Sequence, residues 1–100
     1  MSIITKLAGV TFNNAQENIN RFGFQDVGGF ALVREPENLY DENAIRVVFC
    51  GLFMGYIPSK LSQVIAPMID EGERYYAKFI SRNESPFHET VGLTVQIVEM

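Results

Sequence analysis

Apolar residues recur along this chain in two rhythms, and the places where the rhythm changes mark the elements. Residues 3–12 are dominated by β-branched and aromatic side chains until the Asn13-Asn14 pair interrupts them, which predicts a strand. Asn14 lies three residues before Glu17, the spacing of a capping box, and Ala15, Ile19 and Phe22 share one helical face before Gly23. A short helix should follow the strand, held by packing of Ile19 and Phe22, because so few turns are unstable alone. Residues 28–34 predict a second strand, in which the unbroken run Phe30, Ala31, Leu32, Val33 implies cover on both faces.

Polarity then returns sharply. Residues 34–43 predict a loop, since Pro36 breaks a ladder and Asn38, Asp41 and Asn43 favour turns by bonding nearby backbone. Ile45, Val47 and Phe49 alternate inward over 44–49, Cys50-Gly51 makes a tight turn, and 52–57 returns as the second arm of a hairpin that should hold most of the aromatic mass of the core. Pro58-Ser59 opens a second helix with Ser59 as cap, its stripe being Leu61, Val64, Ile65, Met68 and Ile69. Pro67 predicts a kink or break within it, and Gly72 its end. Two strands close the chain, 75–80 and 91–98, the latter with Leu93, Val95 and Ile97 inward, around a polar loop 81–89 that carries Pro86, Phe87 and His88.

The predicted order is β-α-β-β-β-α-β-β. It favours a mainly β (α+β) fold, a small and strongly bent antiparallel β-barrel with two short helices, over a parallel sheet that would need a helix after nearly every strand.

Composition narrows the function. One hundred residues, 47% hydrophobic and 20% charged, suit one domain over 1–100 and exclude a disordered tail or coiled coil. Eight Lys plus Arg against twelve Asp plus Glu leave a net charge of −4, so nucleic-acid contact must be local. The longest apolar run, 47–57, is well short of the roughly 20 residues that cross a bilayer, and the N-terminus lacks a secretory pattern. With a single cysteine, Cys50, the expectation is a cytoplasmic, intracellular protein without membrane association.

No enzyme chemistry is evident. One His and one Cys make no ligand set, so no metal and no cofactor are expected. His88 is the only histidine that could serve as a base, on a loop where a solvated role is the simpler reading, and Gly28-Gly29 lacks the lysine of a phosphate-binding loop.

The segments Leu7-Ala8-Gly9-Val10-Thr11-Phe12, then 32–47 with Arg34-Glu35-Pro36, Asn38, Tyr40-Asp41 and Asn43-Ala44-Ile45, and finally Met54-Gly55-Tyr56-Ile57-Pro58 closely resemble the HIRAN domain family over nearly the whole chain. The resemblance implies a modified OB-like or SH3-like barrel and a non-catalytic DNA-binding module tied to DNA repair, which recognises single-stranded DNA at a free 3′-hydroxyl end. It is the free-standing kind of HIRAN protein that this chain resembles, and no ATPase remodelling activity carries over.

By that resemblance Tyr40 stacks on a terminal base with Phe12 against its other side, and Asp41 accepts a hydrogen bond from the 3′-hydroxyl. Thr11, Tyr56, Ser59 and Lys60 stand where phosphate contacts arise. The family's strong binder has arginine at the Thr11 position, histidine at Tyr56 and lysine near Ser59, so only Lys60 keeps a positive charge there. Leu39 replaces a proline.

Structural readings stand beside these. Tyr40 could be a barrel-end core tyrosine and Asp41 a turn former, while Arg34 with Glu35 reads as a surface ion pair, and Asn38, Asn43 and Pro36 as residues that shape the loop. Phe87 is either a third stacking aromatic or a hydrophobic plug. The alternative function is a protein-interaction module that uses the same aromatic groove for a peptide or partner protein, which suits the acidic charge balance.

Overall fold

The computed structural model describes residues 2–22, 24 and 28–100. Its elements run β1 (Ser2–Lys6), α1 (Ala15–Arg21), β2 (Phe30–Arg34), β3 (Ile45–Phe49), β4 (Leu52–Tyr56), α2 (Ser59–Asp70), β5 (Tyr75–Ser85) and β6 (His88–Glu99), the order expected from the sequence. The strands form one antiparallel sheet ordered β1-β6-β5-β2-β3-β4. It curls until its two edges meet at one point, where Ala8 and Tyr56 exchange backbone hydrogen bonds of 2.8 Å in each direction. The result is a curled half-barrel closed by a single bridge.

Alternation sorts the side chains. Val91, Leu93, Val95 and Ile97 of β6 face inward, together with Phe30, Ala77, Ile45, Val47 and Met54, and Ile19 of α1 and Ile65 of α2 complete the core. Phe22, Phe24, Phe30, Phe49 and Phe79 pack as an aromatic group, with Phe24 stacked on Phe79 at 5.5 Å between centroids. The β3-β4 hairpin therefore gives only Phe49 to that group. Phe53 instead sits edge-on against Tyr56, so the aromatic mass of the core is spread over the chain.

Several local expectations are corrected. The first strand stops at Lys6, and residues 9–14 form turns rather than its continuation. Asn14 adopts the left-handed conformation at φ 65° and makes no side-chain cap, because capping needs an extended residue whose side chain reaches forward to the first turn. Gly23, the expected helix end, lies outside the described residues. β2 is not covered on both faces, since Ala31 is exposed.

α2 runs unbroken through Pro67. Proline leaves the carbonyl of Gln63 without its helical donor, yet both residues are exposed and water can satisfy it. Ser59 is the first helical residue and not the cap; Pro58 holds that position. Ile65 is buried and Leu61, Met68 and Ile69 pack partly on the core, but Val64 is 52% exposed, and Ser62 and Ala66 take the buried positions beside Ile65. The supposed loop 81–89 is largely strand: β5 and β6 extend as a long hairpin arm, with Ser85 paired to His88 around a two-residue turn of Pro86 and Phe87.

Candidate functional site

Where the sheet closes, three segments surround a groove of about 760 Å3. Ala8, Gly9, Phe12 and Asn13 come from the turn after β1, Asn38, Tyr40, Asp41 and Ala44 from the β2-β3 loop, and Tyr56, Ile57 and Ser59 from the end of β4 and the start of α2. The Ala8-Tyr56 bridge joins the first and third segments directly. It depends on Gly55, whose φ of +148° is rare for other residues and whose missing side chain leaves room for Ala8: an added Cβ would lie 2.9 Å from the Ala8 carbonyl oxygen. Gly9 serves similarly at the groove wall, seated between the rings of Tyr56 and Phe12.

The turn carrying Phe12 is tied down from behind. Phe12 N–H donates to the Gly9 carbonyl at 3.0 Å, and Gln16 of α1 donates through Nε2 to the carbonyls of Val10 and Val91 while its Oε1 accepts from Val91 N–H. Asn18, buried, donates to the Phe53 carbonyl and fastens α1 to β4. Neither residue stood out in the sequence, since a single polar side chain within a helix gives no sign of which distant backbone it will meet.

The β2-β3 loop is held by side chains that bond backbone. Asn38 Oδ1 accepts from the N–H groups of Tyr40 at 2.9 Å and Asp41 at 3.1 Å, and Asp41 Oδ1 accepts from Asn43 N–H at 2.9 Å. Arg34 and Glu35 do not pair with each other, contrary to the ion-pair reading. Arg34 donates to the carbonyls of Ala44 and Glu42 and forms a two-pronged pair with Asp70 at the end of α2, where the guanidinium holds the Asp70 carboxyl below its usual range. Glu35 turns the other way: Oε1 accepts from Asn38 Nδ2 and from the Tyr56 hydroxyl, each at 2.9 Å, and Oε2 lies 3.6 Å from Arg46. Burial, then this bond to Glu35, raises the Tyr56 phenol above its ordinary value.

Five of the eight residues expected to bind DNA, Phe12, Tyr40, Asp41, Tyr56 and Ser59, line this groove, as does Asn38, which was expected only to shape the loop. Tyr40 is 96% exposed and Phe12 57% exposed, so neither is a core residue. Thr11 and Lys60 are exposed neighbours that do not line it, and Phe87 sits at the tip of the β5-β6 arm, outside the groove lining. Among the described residues, no Lys or Arg lines the groove, and Asp41 is the only charged side chain that does. Ala8, Gly9, Asn13, Ala44 and Ile57 were not anticipated as site residues, although Ala8, Gly9, Ala44 and Ile57 lie within the recognised motifs and Asn13 adjoins one.

Comparison with known proteins agrees with this architecture. The family model for the HIRAN domain matches residues 2–99. The chain is similar to the Fanconi-associated nuclease 1 homolog of Arabidopsis thaliana, 36% identical over 72 residues that cover 70% of this chain and 7% of that protein. It spans only about 6 to 7% of the length of the curated relatives it matches. Among solved structures, a protein from Lactobacillus plantarum superposes with a TM-score of 0.72 at 24% identity, covering 100% of this chain and 98% of that one. The HIRAN domain of human HLTF superposes at 0.68 and 19% identity over 98% of this chain and 74% of that chain. Both structural likenesses concern the fold.

Proposed function

The chain belongs to the HIRAN domain family, a DNA-binding kind of domain, and from that premise we propose that this protein is a non-catalytic module that recognises single-stranded DNA at a free 3′-hydroxyl end. The observation that carries the reading is the pairing of an almost fully exposed Tyr40 with the exposed ring of Phe12 on the lining of one groove, with Asp41 beside them. Exposed aromatic rings at a concave site offer stacking surfaces to any base, worth about 1 to 3 kcal/mol per base. Asp41 supplies acceptors only, so it accepts from a terminal hydroxyl and repels a terminal phosphate.

The experiment is a fluorescence-anisotropy titration with short single strands that differ only in ending as 3′-hydroxyl or 3′-phosphate. Preference for the hydroxyl end supports the reading; equal affinity for both ends, or no binding at low salt, sinks it.

The second reading, a groove for a peptide or partner protein, is favoured by one observation, that no cationic side chain lines the groove among the described residues. Salt separates the two. Contact with one or two phosphates gives a slope of log affinity against log salt of roughly 0.7 per phosphate, whereas an apolar peptide gives almost none.

A further inference from the structure

We propose that Glu35, which does not line the groove, is a positioning residue that sets the polarity of the groove wall and thereby its preference for hydrogen-bond-donating ends over phosphate. The inference rests on the end-binding reading and adds to it the origin of selectivity.

The geometry is a small hydrogen-bonded hub. Glu35 follows β2 and its Oε1 receives two donors from two different walls of the groove, Asn38 Nδ2 on the loop and the Tyr56 hydroxyl at the end of β4. An ionised carboxylate can only accept, so the direction of both bonds is settled: Tyr56 donates its single proton to Glu35. Any ligand atom that meets the Tyr56 oxygen from the groove must therefore be a donor. Asn38 is fixed in the same way. With Nδ2 donating to Glu35 and acting also on the Tyr56 oxygen, its Oδ1 faces the backbone and accepts from Tyr40 and Asp41 N–H, which sets the conformation of the two residues that stack on and discriminate the end.

One carboxylate thus does two things. It orients Tyr56 as an acceptor, alongside the acceptor-only carboxylate of Asp41, and it holds the amide that shapes the Tyr40-Asp41 turn. A hydroxyl or an amine satisfies such a wall, whereas a phosphate meets acceptor against acceptor. The Glu35 charge is itself balanced by Arg46 of β3, whose Nη1 lies 3.6 Å from Oε2. The raised Tyr56 phenol fits this arrangement, since burial and the Glu35 bond both favour the protonated donor.

The test compares Glu35→Ala, Glu35→Gln and Tyr56→Phe with wild type, using the same oligonucleotides ending in 3′-hydroxyl or 3′-phosphate. Glu35→Ala should lower the hydroxyl-over-phosphate affinity ratio about tenfold, the value of one hydrogen bond near 1.4 kcal/mol. Glu35→Gln, whose amide carbonyl can still accept from Tyr56 and Asn38, should keep the ratio within about threefold of wild type. Tyr56→Phe, which removes the acceptor itself, should lower the ratio as Glu35→Ala does.

A second readout needs no DNA: ultraviolet titration of tyrosinate should move Tyr56 back toward its ordinary value in Glu35→Ala. Equal loss of affinity for both ends in Glu35→Ala, as a merely structural role would give, overturns the inference while leaving the end-binding reading intact. If Glu35→Ala does not fold, an unchanged ratio in Tyr56→Phe overturns it. Failure of wild type to bind either oligonucleotide removes the end-binding reading and this inference with it.

Discussion

Ala8 and Tyr56 are 48 positions apart in sequence and exchange both of their backbone hydrogen bonds, at 2.8 Å each, and this single bridge is what turns an open sheet into a closed wall for the groove. β1 and β4 are the two edges of the sheet, and the segment just after β1 meets the end of β4 here. Tyr56 then serves twice, its backbone closing the sheet and its ring and hydroxyl lining the site.

Closure should be sensitive to Gly55. Alanine there would combine an unfavourable backbone conformation with a contact of 2.9 Å to the Ala8 carbonyl oxygen. Gly55→Ala is expected to destabilise the protein by about 1 to 3 kcal/mol in denaturant unfolding. Gly51→Ala, where an added Cβ meets nothing within 4 Å, tests backbone conformation without the close contact and should cost less.

Arg34 anchors the site loop to α2 through a planar fork that satisfies the carbonyls of Ala44 and Glu42 and both oxygens of Asp70. Lysine keeps the charge but cannot make these four contacts together. Arg34→Lys should therefore lower stability by about 1 to 3 kcal/mol, measured by urea unfolding. It should also raise backbone hydrogen exchange across residues 38–44.

Tyr40 and Asp41 should separate affinity from selectivity. Tyr40→Ala is expected to weaken 3′-hydroxyl and 3′-phosphate strands alike by about 1 to 3 kcal/mol, since stacking does not sense the sugar end. Asp41→Ala should weaken the hydroxyl end by roughly 1.5 to 3 kcal/mol and relieve the repulsion of a phosphate. Paired anisotropy titrations check both, and an unchanged ratio in Asp41→Ala would return that residue to a turn-forming role.

Tyr56 imposes an alkaline limit. Its folded-state pKa is raised above the ordinary 10.0, first by burial and then by Glu35, so the neutral phenol is favoured by folding. The corresponding stability is fully present below about pH 10 and is lost as pH rises through the folded value. Tyr75, whose hydroxyl donates to Glu73, shifts the same way, so the measurement is the difference between wild type and Tyr56→Phe. That difference should stay constant through neutral pH and shrink in the alkaline range.

On α2 the buried and exposed members of the apolar stripe should respond differently. Ile65→Ala removes a fully buried side chain and should cost about 2 to 5 kcal/mol. Val64→Ala, at a position 52% exposed, should stay within about 0.5 kcal/mol. Thermal or chemical unfolding of the two variants is sufficient.

Periodicity determined the order of eight elements and the inward faces of β3 and β6, because alternation and helical spacing are local consequences of burying one side of an element. The motif around Arg34, Tyr40-Asp41 and Tyr56 was equally legible, and it pointed to the HIRAN family. What could not be read were the relations between distant residues. The strand length of β5 and β6 escaped because polar residues 81–89 pair with each other across an arm that needs no core. The αL conformation of Asn14, the passage of α2 through Pro67 and the exposure of Val64 depend on what lies beside each residue, not on its neighbours in sequence. The partners of Arg34 and Glu35 were beyond reach for the same reason: adjacent in the chain, they point to opposite sides of β2's end, one toward α2 and the other toward β4. Side-chain hydrogen bonds are satisfied by whatever the closed fold brings within about 3 Å, and only the curled sheet decided that.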